Sequence, residues 1–189
     1  MLLKYFHSYS FGTPYAILIL CFSVMISDAL AQERRAIPSY NQFGETVSES
    51  TMQSITSFIA RYKLAWSKQD ATSLSKMHSI DTEWTNAFAR IIQGREKLRE
   101  FLNDRLFKEF SQQVAESEME KLQLVSSRYI SKDTVIIHLV TNSHRGMARD
   151  GTHTARRTHI HIVVNRLAAN INKPKSPWQI VHTVIMDAR

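Results

Sequence analysis

The sequence predicts an α+β domain in which helices come first and a curved antiparallel meander then wraps on the helix layer. Three observations predict it. Met52, Ile55, Ile59, Tyr62 and Trp66 recur at spacings of three and four, which is the apolar stripe of an amphipathic helix. From Leu122 onward the chain turns to four runs rich in β-branched and aromatic residues, separated by "SKD", "RDG" and "NKPKSP". The helical patterns all precede the strand patterns, so both apolar faces are buried by laying one layer on the other.

Taken in order, residues 1–31 read as a signal peptide. Lys4 is a weakly basic start, Tyr15 to Ile26 is an apolar run, and Ala29 to Ala31 has the small-x-small form of a cleavage site. The run is short of the about 20 residues a bilayer span needs. Cleavage after Ala31 and export to a periplasmic or secreted location are expected, with a retained anchor as the alternative. No membrane span is expected after cleavage. Cys21, the single cysteine, leaves with the signal, which excludes disulfide, thiol-nucleophile and thiolate-metal chemistry. The signal carries one Lys and one Asp, so the net charge of +7 is unchanged. Such a charge suits anionic lipid, polysaccharide or acidic small molecules better than nucleic acid, since basic charge alone reports non-specific attraction.

Residues 32–47 are polar with Pro and Gly and read as a flexible leader, and residues 48–189 form one domain. Thr46 with Glu49, or Ser50 with Gln53, can box the start of the first helix. Asp70 caps a short second helix carrying Leu74 and Met77. "DTEWTNAF" from Asp81 alternates as a strand, with Trp84, Asn86 and Phe88 on one face. After Gly94 a third helix aligns Leu98, Phe101, Leu102, Leu106 and Phe110. The strands are expected over 122–129, 134–141, 152–164 and 178–186.

Several of these pieces resemble the SnoaL-like proteins of the nuclear-transport-factor-2-like superfamily, with the secreted SgcJ/EcaC-type group the nearest. Trp66 and Asp70 end helix one, "D-x-x-W-x-N" stands at Asp81, Trp84 and Asn86, and "G-R-x-x-L" at Gly94, Arg95 and Leu98. Arg156 and Thr158 fall in a late strand and "WQIV" in the last. The resemblance spans about 50–186. It implies a cone-shaped, cystatin-like fold: three helices packed on a strongly curved antiparallel sheet around a pocket. It also implies a homodimer through the convex sheet face.

The chemistry implied by the resemblance is less complete. In ketosteroid isomerase, an oxyanion-stabilising tyrosine stands eight residues before the aspartate ending helix one, as Tyr62 does before Asp70. The general base of that enzyme falls at Asn86, and an amide takes no proton in the useful pH range. Its late-strand carboxylic acid has no counterpart, since no Asp or Glu lies between Gly151 and Asp187.

What remains is a candidate pocket. By strand parity His182 lines up with Trp178, Ile180, Val184 and Met186, hence inward, as an acid/base group. Relatives carry their histidine two residues later, where this chain has Val184. Tyr62 and Asn86 would donate hydrogen bonds to a developing oxyanion. Trp66, Trp84, Phe101, Arg156 and Thr158 would line the ligand site, with Arg156 clamping a carboxylate or phosphate.

Core roles compete with each of these. Tyr62 and Trp66 suit a core stripe, Asp81 a turn, Arg156 an ion pair with Asp81 or Glu83, and His182 a bonded core position. His159 and His161, with His138 or His182, could form a three-histidine metal site. Their parity instead faces them outward with Val163, where a dimer contact suits them better, and no metal or cofactor is expected. The basic stretch His144 to Arg157 has no interleaved aromatics for stacking bases, so no nucleic-acid partner is expected.

The sequence thus supports an exported domain holding a small, partly apolar molecule, anionic if Arg156 engages it. Metal-free isomerase- or lyase-like acid/base chemistry is open. The alternative is a non-catalytic homodimeric association or protein-interaction module. The oxidoreductase label of the SgcJ/EcaC group finds no glycine-rich nucleotide loop and no redox cysteine pair to support it. A binder requires an open cavity with convergent polar groups, whereas an association module requires a filled cone and an exposed apolar sheet face.

Overall fold

The computed structural model describes residues 36–143, 156–166 and 178–188. The expected signal peptide and cleavage site, most of the basic 144–157 stretch and the expected "NKPKSP" turn lie outside the described residues. Internal contacts divide the chain into Met1–Ala36 and Ile37–Arg189, and the second unit carries all the described secondary structure.

That unit runs β1 (Asn41–Gly44), α1 (Glu49–Ser67), α2 (Ala71–Lys76), β2 (His78–Thr85), β3 (Ile91–Gln93), α3 (Arg95–Asp104), a 3-10 turn (Leu106–Lys108) and α4 (Gln112–Glu120). Strands β4 (Gln123–Ser131), β5 (Thr134–Ser143), β6 (Arg156–Arg166) and β7 (Trp178–Ala188) complete it. Among the described residues no helix is long and apolar enough to cross a membrane.

The seven strands form one sheet in the order β1-β4-β5-β6-β7-β2-β3. The four late strands are antiparallel neighbours, as the meander requires. The sheet is nevertheless mixed, because β1 joins β4 and β2 joins β7 in parallel. Part of the expected leader is therefore structured: Asn41–Gly44 extends the sheet, and the Glu45 N–H donates to the Tyr129 carbonyl.

Three of the four helices start where a side chain accepts a free N–H group of the first turn, whereas α3 starts at Gly94 with no side-chain cap. Ser48, not Thr46 or Ser50, caps α1 by accepting from Thr51 N. Asp70 caps α2 by accepting from Ser73 N at 2.8 Å, which holds its carboxyl below the ordinary range. Ser111 caps α4, a helix that the sequence reading passes over. The third helix is shorter than its stripe. It ends at Asp104, and the chain tightens into the 3-10 turn that brings Phe107 back onto Trp66, with Phe110 packed edge-on against Phe107.

The core lies between the helices and one face of the sheet. Ile55, Phe58, Leu74, Leu98 and Leu102 from the helices meet Val135, Ile137, Leu139, Ile160, Ile162, Val164 and Ile180 from the strands. Burying each such side chain is worth about 1.5–3 kcal/mol. Trp178 closes one end, its indole N–H donating to Ser54 Oγ at 2.8 Å while the Arg166 guanidinium lies 4.6 Å over its ring. No described helix covers the other face of the sheet.

Candidate functional site

The cone interior is occupied by aromatic rings. Tyr62 and Trp66, one turn apart on α1, are each 2% exposed and stack with centroids 6.1 Å apart. Phe107 meets Trp66 edge-on at 5.6 Å. Trp84, on the inward face of β2, packs against Phe101 at 5.5 Å, and Arg90 lies over Phe101. Three expected pocket-lining residues, Tyr62, Trp66 and Trp84, are thus core residues touching other rings.

Asn86 and His182 depart from their expected places, each for a local reason. Strand β2 stops at Thr85, and Asn86 opens the turn into β3. Its Oδ1 accepts from Phe88 N at 3.0 Å and Arg90 N at 2.9 Å. Phe88 is 71% exposed, so the expected Trp84-Asn86-Phe88 face does not exist. His182 faces outward because β7 carries a bulge: Val164 pairs with Ile180 but Val163 pairs with His182, leaving Val181 as the extra residue. One inserted residue reverses every later side chain. Trp178 and Ile180 point in, Thr183 points in after the bulge, and His182 meets Glu83 on the opposite face at 3.6 Å.

Thr158 faces inward and donates to Asp187 Oδ1 at 2.9 Å. Arg156 pairs through its backbone with Ser143, and its side chain lies outside the described residues. Tyr62 inside, Asn86 in a turn and His182 outside are not brought to one place, so no single substrate touches all three.

Two buried groups went unread in the sequence. Glu118 on α4 is 1% exposed; its Oε2 accepts from the Trp66 indole N–H at 3.4 Å, and its carbonyl accepts from Thr141 Oγ1 at 2.6 Å. The spacing of Ala115, Glu118 and Met119 would have signalled an acid on a buried stripe. His78, at the start of β2, bonds the Leu74 carbonyl through Nδ1 at 2.9 Å, and burial pushes its pKa down to about 4. The Arg95 guanidinium donates to the His78 carbonyl at 2.8 Å, which ties the start of α3 to the start of β2.

Open space lies around the cone. A cleft of about 480 Å³ runs between β3 and α3, lined by Arg90, Gln93, Lys97, Phe101 and Arg105. One of about 470 Å³ lies between α1 and α4. A smaller one of about 280 Å³, bounded by Ser111, Gln113, Val114, Ser117, Glu118 and Asn142, sits where α4 meets β5.

The outer face of the sheet is ordered in rows by the strand register. One row crosses Arg128, Ile136, Val163, His182, Glu83 and Gln93. The next crosses His138, His161, Val184, Thr85 and Ile91, and a third Val140, His159 and Met186. Met186 is 46% and Ile91 60% exposed. His138 Nε2 and His159 Nδ1 are 2.9 Å apart, and His161 stacks on His138 with centroids at 4.2 Å and planes 15° apart. Parallel rings direct their in-plane lone pairs side by side rather than at one point, so His138 and His161 in this arrangement cannot share an ion. Burial, with neighbouring His161 and His159, pushes His138 down to about 4. Burial lowers His159 and His161 as well, helped by Arg157 and by His159 respectively. The shifts hold all three toward the neutral form.

No family model and no curated protein matches this chain. Solved structures do. A ketosteroid isomerase-like protein from Erwinia carotovora atroseptica is similar over 75% of this chain and 99% of its own, at 12% identity and a TM-score of 0.57. A domain of unknown function with a cystatin-like fold from Nostoc punctiforme aligns over 76% and 80%, at 13% identity and 0.52. The S. rosetta CaMKII hub aligns over 72% and 95%, at 18% identity and 0.50. The chain has the cystatin-like fold, and shares it with the ketosteroid isomerase-like protein and the Nostoc domain. At these identities the likeness is one of fold, and a fold does not fix an activity.

Proposed function

We propose that this protein is a homodimeric association domain whose contact surface is the outer face of the sheet. The composition of that face carries the reading. Ile136, Val163 and Val184, each partly exposed, and the exposed Met186 surround three histidines held toward their neutral form. On a chain of net charge +7, a neutral apolar face is where two copies can approach without bringing like charges together. Five strands about 4.8 Å apart and about 30 Å long present a face of roughly 700 Å², near the ~800 Å² per partner of a stable interface. The signal-like residues 1–31 support action after export, and a secreted form beginning at Gln32 on N-terminal sequencing would agree.

Sedimentation of the wild type and of Val184→Lys tests the reading. The wild type should run as a dimer, and the variant as a folded monomer with unchanged far-UV circular dichroism. A wild-type monomer, or a variant that still dimerises, rejects it.

A second reading, small-molecule binding, draws on the cleft at Glu118. A buried carboxylate beside the Trp66 indole suits a ligand with a hydroxyl or amine and an apolar body, rather than an anion. Native mass spectrometry of protein from its own host separates the readings. A retained molecule lost in Glu118→Gln supports binding at the cleft, and bare dimers in both proteins reject it.

A further inference from the structure

Resting on the sheet-face reading, we infer that two copies meet about a two-fold axis running along β6 near Val163, which sets Arg128 of each copy over the partner's Glu83. The register carries this. Arg128, Ile136, Val163, His182 and Glu83 are consecutive partners on β4, β5, β6, β7 and β2, so all five stand at one height across the sheet. Val163 is two strands from either charge, about 10 Å on each side. Among the residues of the three outer rows, Arg128 and Glu83 are the fixed charges, and they stand on one row at equal distances either side of Val163.

A self-complementary interface must map the patch onto itself. Two placements of the axis within the face do so simply. An axis across the strands sets Arg128 against the partner's Arg128 and Glu83 against the partner's Glu83, and like-charge juxtaposition is unfavourable. An axis along β6 exchanges β4 with β2 at constant height. It then makes two Arg-Glu pairs, one at each rim. Both groups are already held on the outer face: the Arg128 guanidinium lies 4.9 Å over the Phe43 ring, and Glu83 Oε2 accepts from Gln93 Nε2 at 3.1 Å. Arg157 also lies on β6, but six residues from Val163 is roughly 20 Å. There the right-handed twist of each sheet has carried the two strands apart.

A charge-swap cycle tests the pairing, using full-chain protein and sedimentation equilibrium at low salt. Glu83→Arg and Arg128→Glu should each weaken the dimer about tenfold or more. The double variant, in which both pairs are rebuilt with reversed sign, should return to within about threefold of wild type. The neutral pair Glu83→Gln and Arg128→Gln, checked by circular dichroism, separates charge from folding and should show smaller losses. A wild-type dimer whose double variant is as weak as the sum of its singles, or whose singles do not change it, overturns this axis and leaves the sheet-face contact standing. A wild-type monomer overturns both.

Discussion

Asn86 shows how one side chain decides a local structure. Its Oδ1 accepts two backbone N–H groups across the β2-β3 turn, where Ala89 sits at φ 58. Asn86→Ala removes both acceptors and should destabilise the protein by about 1–3 kcal/mol. Asn86→Asp, which keeps an acceptor in place, should cost less than about 1 kcal/mol on the same scale. Urea denaturation of the two variants checks this, and equal losses would mean that the turn does not depend on the bond. Alternation in the sequence suggested a strand position for Asn86, but it cannot distinguish a strand residue from one that ends a strand by bonding its own turn. For His182 the parity count was sound until Val181, and a bulge leaves no mark in composition. Tyr62, Trp66 and Trp84 were legible as inward residues. That they fill the cone with each other rather than face a ligand is a property of packing.

At the scale of elements, the strands β4 to β7 stand within a few residues of their expected places, because β-branched runs between turn residues leave little freedom. The first helix was equally legible from its stripe. Strand β1 was not, since four residues that borrow an edge from β4 carry no periodicity of their own. Gly44 makes that edge possible: at φ 87 it lies so close that an added Cβ would collide with the Tyr129 carbonyl. Gly44→Ala should therefore release β1 while leaving the helix-sheet core intact. Hydrogen exchange reads this directly, with the Glu45 amide losing protection and the β5-β6 amides keeping theirs. A protected Glu45 amide in the variant would contradict it. In the core, Leu98 is fully buried on α3, and Leu98→Ala should cost about 2–5 kcal/mol, measured by the same urea titration.

For the whole molecule, the histidines set a dependence on pH. His78 and His138 are each held at about 4, below the ordinary 6.5, so the folded state keeps them neutral while the unfolded chain takes up protons first. Their contribution to stability is full above pH 6.5, declines as pH falls, and is lost once pH passes about 4. The urea midpoint should drop between pH 7 and 4.5, and His138→Asn should flatten part of that drop. No difference between variant and wild type would show that His138 does not titrate as its surroundings require. On the outer face the same protonation adds charge to His138, His159 and His161 beside Arg157, so acid should also weaken self-association.

The outer face as the place where two copies meet is tested most directly by cross-linking at Val163. With Cys21→Ser removing the native thiol, Val163→Cys protein is treated with a short bis-maleimide at neutral pH, beside Ser67→Cys on α1 as a control. Efficient covalent dimer from the Val163 variant and little from the control is the expected result. Cross-linking from neither, or from the helix side alone, would contradict the sheet-face dimer.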